Sequence, residues 1–349
     1  MVHQATSLSR HARIHAVTES SYPSRRQRIA LAVLIGVVSL AMSLGLTLGR
    51  QRADANVKEG ADFRVPLDAA QAVLTRSNPY AAVRAQATPE DPGAAFYYPL
   101  PAALVAVPFI PFPRWLAGAV FFGLSSGLLA WLITRRSYDQ LPLFFSTPFI
   151  FAAAAAQWSP FLIAVSFVPA LSGFLIVKPN LGAALFLSRP TWQGIAGGIV
   201  LAAVSFLILP SWLGDWLGTF DGNGTVFHRP PILFSFFGPV LLLAALRWRR
   251  PEGRLLLLMA CMPQFPFFYD QLLLWLVPQS RREALNLSWF SFAAFAAWMA
   301  FSFDWTTREV HMASAAPYVL ALLYIPCLVM VLRRPNEAPA GLLPVAKAA

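Results

Sequence analysis

The sequence predicts an all-α integral membrane protein, a polytopic bundle of about ten to twelve spans. Four observations predict it. Of 349 residues, 57% are hydrophobic and only 12% are charged, where a soluble domain carries about a quarter. The mean hydropathy is +0.57. The runs Ile29–Gly49, Trp115–Thr134 and Ala315–Leu332 each approach the roughly 20 apolar residues that cross a bilayer. Finally, arginine clusters punctuate the apolar runs, at Arg135-Arg136, Arg189, Arg247 to Arg250 with Arg254, Arg281-Arg282 and Arg333-Arg334. No room is left for a sizeable soluble domain.

Taken in order, residues 1–28 are polar and arginine-bearing, as expected for a disordered cytoplasmic tail. The apolar run that follows is too long for a signal-peptide core and reads as an uncleaved first span. Residues 29–332 form the membrane domain, with an outer loop at 50–98, and 333–349 form a second cytoplasmic tail. Placing every arginine cluster at the cytoplasmic edge sends the alternate bends outward. These bends are Gln51–Tyr98, Gln157–Pro160, Ser211–Pro231, Pro263–Gln271 and Asp304–Met312. Two pieces fit less simply. Tyr97–Arg114 carries five prolines and either crosses or dips and returns. Ile176–Arg189 is too short to cross untilted, which leaves the side of Lys178 open.

The net charge of +11 lies in short loops rather than in a basic groove interleaved with aromatics, so nucleic acid is not an expected partner. The two cysteines, Cys261 and Cys327, sit in apolar runs and read as small core residues. Phosphate-cradling loops, dinucleotide fingerprints, HExxH and CxxC are all missing, so no cofactor and no metal is expected. The sequon at Asn223 is short enough to arise by chance.

Within the first outer loop, Pro66 suits the opening turn of a helix and Asp68 its positive end. Val65, Ala69, Ala70, Val73 and Leu74 give it an apolar face, and Ser77-Asn78-Pro79 stops it. A short amphipathic helix on the outer membrane surface follows. Asp62 and Arg64 precede it. Asp62 reads as a general base or as a solvated loop acid; Asp54, Glu59, Asp68, Glu90 and Asp91 read more readily as solvated acids. Tyr269, Asp270 and Gln271 stand at a proline-flanked break in an apolar run, where ionisable groups are costly and often functional. Lys178 either snorkels or meets a lipid phosphate. Arg308 and His311 either contact an anionic leaving group or belong to a plain outer loop.

In order along the chain stand "ADFRVPLDAAQAVLTRSNPY", "FYYPLPAALVAVPF", "AQWSPFLIA", "VKPNLGAALFLSRPTWQGIAGG" and "FPFFYDQLLLWLVP". This set resembles the polyprenyl-phosphate-sugar-dependent glycosyltransferases of the GT-C class, and within them the bacterial α-mannosyltransferases of glycosyltransferase family 87. The resemblance runs from about Ile29 to Pro278. It departs at Leu100, where the pattern has a second proline, and at Ala156-Gln157-Trp158-Ser159, where it has Gly-Gln-x-Asn. The interval from Gln157 to Lys178 is also shorter than usual.

The resemblance implies a GT-C-type bundle in a bacterial inner membrane, with its site on the periplasmic or extracellular side. It implies Asp62 as the base that deprotonates an acceptor hydroxyl in an inverting transfer. The donor is a polyprenyl-phosphate-linked hexose, mannose by analogy, and the acceptor a lipid or glycan. Arg64, Lys178, Arg308 and His311 would meet the donor phosphate. Asn78, Tyr80, Tyr98, Gln157, Tyr269 and Asp270 would bind substrate, with Trp212, Trp216 and Tyr269 available to stack on sugar. A transporter or lipid flippase, or a non-catalytic membrane scaffold descended from such an enzyme, are the alternatives.

Overall fold

The computed structural model describes residues 23–53, 61–86, 95–220, 228–302 and 312–337. Arg308, His311, the Asn223 sequon, Asp54, Glu59, Glu90 and Asp91 lie outside them, as do most of the N-terminal tail and residues 338–349. Among the described residues the regular secondary structure is helical, apart from one isolated bridge between Arg229 and Gln264.

In chain order the helices are α1 (Arg25–Ala53), α2 (Arg64–Leu74), α3 (Pro79–Arg84), α4 (Leu100–Ala106), α5 (Arg114–Ile133), α6 (Thr147–Ala154) and α7 (Ser159–Ser166). They continue as α8 (Pro179–Ser188), α9 (Trp192–Ile208), α10 (Trp212–Leu217), α11 (Pro251–Cys261) and α12 (Arg281–Phe301), with α13 (Ala316–Leu332) last. Three of them, α1, α5 and α12, are long and apolar enough to cross a membrane. The count rises to five if α6 with α7, bent by 114°, and α9 with α10, bent by 99°, each make one span. The ten to twelve spans suggested by hydropathy do not appear as long helices. Several apolar runs instead form short 3₁₀ stretches, at Pro169–Val177, Gly238–Arg247 and Phe268–Leu276. Pro169 and Pro239 stand in the first turns of two of them, where a missing backbone donor is tolerated.

Helices α1 and α5 pack closely because glycines face each other. A Cβ on Gly123 would lie 2.7 Å from the Leu40 Cβ and 2.8 Å from the Gly36 oxygen. Small residues of this kind let apolar helices approach without any hydrophobic drive between them. The register is pinned where Arg28 donates to the Trp131 carbonyl at 2.8 Å and lies over the Trp131 ring with Arg135. The other side of α1, with Val33, Leu34, Val37 and Val38, is exposed.

The contacts sort the polar residues into two ends of the bundle. At one end Arg28 and Arg135 meet Trp131, Arg254 meets the end of α8 at Ser188, and Arg247 and Arg334 hold the chain around Leu332 and Val277. At the other end Arg50 meets Ala154, Arg114 meets Asp68, and Asn180 meets Pro263. Arg135, Arg247, Arg254 and Arg334 thus gather at one end of the bundle. Between Tyr98 and Arg114, which both lie at the second end, the helix Leu100–Phe109 intervenes. Its ten residues rise about 15 Å, roughly half an apolar bilayer core, and are too few to cross one.

Candidate functional site

The site is built around the break between α6 and α7. Helix α6 ends in a left-handed residue, Ala156 at φ 47°. The Gln157 amide donates back to Ala152 at 2.9 Å and the Ala156 amide to Ala153 at 3.2 Å. These are the two bonds of a Schellman cap, a position usually held by glycine. Carbonyls at the α6 terminus attract three further donors. Ser43 Oγ reaches Ala153 at 2.7 Å and Arg50 reaches Ala154 at 3.0 Å. The Asp62 amide reaches Ala155 at 3.1 Å. Asp62 is therefore tied through its backbone beside Gln157, with a cation, Arg50, at the negative end of the helix. The next residue, Phe63, is buried, stacked on Phe121 at 4.2 Å and within 5.8 Å of Trp158. It anchors the turn and leaves the Asp62 carboxylate exposed.

Ala156→Gly is expected to leave stability unchanged or raise it by up to about 1 kcal/mol. The left-handed conformation costs a Cβ-bearing residue about 1–2 kcal/mol, while deleting one buried methyl loses about 0.8 kcal/mol. Ala156→Val, stiffer and larger at the same φ, lowers stability. Thermal unfolding midpoints in detergent measure both.

From this break a polar chain runs through four of the residues singled out in the sequence. Gln157 Nε2 donates to Asp62 Oδ2 at 2.5 Å. Its Oε1 accepts from Lys178 Nζ at 3.2 Å. Lys178 Nζ also donates to Asp270 Oδ1 at 2.7 Å. Only one orientation of the Gln157 amide serves a carboxylate on one side and an ammonium on the other. Gln157 and Asp270 are 2% and 1% exposed and the Lys178 side chain 12%, so the chain is most open at its Asp62 end. The Lys178 ammonium has a third donor and lies 5.8 Å from the centre of the Tyr269 ring. Lys178 itself stands at the start of α8, where Gly182 permits the approach of the preceding segment: a Cβ there would collide with the Leu175 carbonyl. The side of Lys178, left open by the sequence, is that of Asp62.

Aromatic residues flank the chain. Tyr98 lies 5.9 Å from Trp158. Burial, then the Asp62 and Asp270 carboxylates, push its phenol well above the ordinary range. At neutral pH it is a hydrogen-bond donor and not a base. Ser159 Oγ donates to the Tyr269 carbonyl at 3.0 Å, which joins α7 to the Asp270 segment.

Other expected residues have different surroundings. Asn78 caps α3 through the amides of Tyr80 and Ala81, and its Nδ2 donates to Asp215 at 2.8 Å. Tyr80 is buried and its hydroxyl meets the Tyr98 carbonyl at 3.3 Å. Both hold the outer segments together. Arg64 lies 3.6 Å from Asp68, and Arg114 lies 2.9 Å from the same acid. Asp68 is 4% exposed, which corrects its reading as a solvated acid. The buried face of α2 is Leu67, Ala69, Ala70 and Ala72, whereas Leu74 is exposed. Trp212 is buried against Phe206 and Trp216, so it offers no face to a sugar; Trp216 is partly buried. Cys261 is exposed and not a core residue, and Cys327 is buried. Sequence reasoning missed Arg114, Asp215, Ser43 and Arg50. Asp215 between two tryptophans was the one legible signal among them. No cluster of metal-ligating side chains occurs among the described residues.

Comparison with known protein families, curated proteins and solved structures finds no match to this chain.

Proposed function

We propose that the protein is a membrane glycosyltransferase of the GT-C type. It moves a hexose, mannose by analogy, from a polyprenyl-phosphate donor to a lipid or glycan acceptor. In this reading the chain is a bacterial inner-membrane bundle of about ten to twelve crossings and re-entrant pieces. The arginine-rich end faces the cytoplasm and Asp62 faces the outside.

One observation carries the reading. Asp62, Gln157, Lys178 and Asp270, far apart in sequence, form one hydrogen-bonded chain that opens at the carboxylate. Asp62 takes the proton of an acceptor hydroxyl. That oxygen attacks the anomeric carbon, the bond from carbon to phosphate oxygen breaks, and polyprenyl phosphate leaves with the bonding electrons. Gln157 holds the base in orientation. The third Lys178 donor and Arg64 stabilise the phosphate as its charge develops, a role proposed also for Arg308 and His311. A lipid-borne donor needs no nucleotide domain, in keeping with the composition.

A second reading has its own observation. The Lys178 charge is already engaged by Asp270, and a balanced acid–lysine pair also suits a transport path. Proteoliposomes loaded with acceptor and supplied with labelled polyprenyl-phosphate-mannose separate the two. Label in a chemically new glycoside supports transfer. Label that changes side while its chemical form is unchanged supports transport and overturns the proposal.

A further inference from the structure

At the arginine-rich end of the bundle, Arg189 stands out from its neighbours. Arg247, Arg250, Arg254 and Arg334 each bind backbone carbonyls or carboxylates. The Arg189 guanidinium has no hydrogen bond or ion pair within the protein among the described residues. It follows Ser188 at the end of α8 and sits on the rim of a cleft lined with Ser166, Ser188, Glu252 and Leu276. The α8 terminus is already satisfied, since Arg254 donates to the Ser188 carbonyl through two nitrogens, at 3.0 and 2.7 Å. That bond brings a second guanidinium beside Arg189. Arg136, exposed at the end of α5, is a third cation close enough to act on it. Glu252, the one acid nearby, is already committed to Arg250, Arg334 and Gln279. Arg189 is itself exposed, so its guanidinium is open to a group from outside the chain.

The surface beside it is apolar. Leu187 is exposed just before Arg189, and Trp192, Ile195 and Ile199 are exposed along α9 just after it. An exposed tryptophan at a helix start suits the level of lipid headgroups. A guanidinium fork matches phosphate oxygens in geometry as well as charge.

We propose that Arg189, with Arg136 and Arg254, forms a binding site for a phosphate group, carried by an anionic phospholipid whose acyl chains run along the exposed face of α9. The site lies at the far end of α8 from Lys178, about 15 Å away by helix rise. It is independent of the proposed transferase centre.

Native mass spectrometry of the detergent-solubilised full chain tests it, with phosphatidylglycerol, phosphatidylcholine and inorganic phosphate as probes. Wild type is expected to retain phosphatidylglycerol over phosphatidylcholine by about tenfold or more, and R136A/R189A to lose that preference. Arg281→Ala, an exposed arginine outside the cluster, is expected to keep it. Gel filtration confirms that each variant is folded. Undiminished phosphatidylglycerol binding by R136A/R189A overturns the proposal, as does an equal loss in Arg281→Ala. Displacement of the lipid by inorganic phosphate at equal concentration overturns the assignment to a lipid.

Discussion

On the proposed function, Asp62→Asn lowers the rate of sugar transfer by about 10²–10⁴-fold, the usual worth of a positioned general base. The substitution keeps the size of the side chain and the backbone bond to Ala155, so the fold and donor binding are expected to survive. The loss should fall on kcat, with KM for the donor little changed. A mixed outcome is informative in one direction only. If KM rises while kcat holds, Asp62 binds substrate and the base lies elsewhere. The new side-chain amide can present its own oxygen to the Gln157 Nε2 donor, so the link through Gln157 to Lys178 is kept. Gln157→Ala, which removes that link, is expected to have the smaller effect of the two.

Lys178→Met carries the largest expected effect on stability. Asp270 has only 2% of its side chain exposed and pairs with Lys178 at 2.7 Å. Removing one member of a buried ion pair strands the other and costs about 3–5 kcal/mol. For a chain of this size that is a fall of roughly 10 °C in the unfolding midpoint. The double variant K178M/D270L removes both charges and is expected to recover most of the stability, because replacing a buried pair with apolar groups is often neutral. Its transfer activity should stay lost. Recovery of both together would reduce Lys178 and Asp270 to a structural pair. A thermal series in detergent, run beside the transfer assay, distinguishes these outcomes.

Lys178 and Asp270 were legible because each interrupts apolar sequence, where a charge is expensive unless it has a partner. Asp62 stood out within a charged loop, and Gln157 was reached through the family resemblance. Their mutual pairing was not legible, since Asp62 and Asp270 are brought together only by the α6–α7 break and the start of α8. The pairing of Asp68 with Arg114 was equally hidden: helical spacing shows which face an acid occupies but not which distant cation covers it. The left-handed Ala156 escaped because glycine usually marks that conformation. Helix lengths were misjudged where hydropathy registers an apolar run but not the 3₁₀ geometry adopted at Gly238–Arg247 and Phe268–Leu276. The two-ended distribution of charge was the most legible feature, because arginine clusters mark the ends of apolar segments whatever the helix geometry between them.

The most direct test supplies purified wild-type protein in nanodiscs with radiolabelled polyprenyl-phosphate-mannose and a membrane extract as acceptor, and follows the label by chromatography. The account predicts that label leaves the donor and appears in a new product with wild type, and that the product falls to near background with Asp62→Asn. Label that stays on the donor with wild type, for mannose and for a panel of other polyprenyl-phosphate sugars, would contradict it.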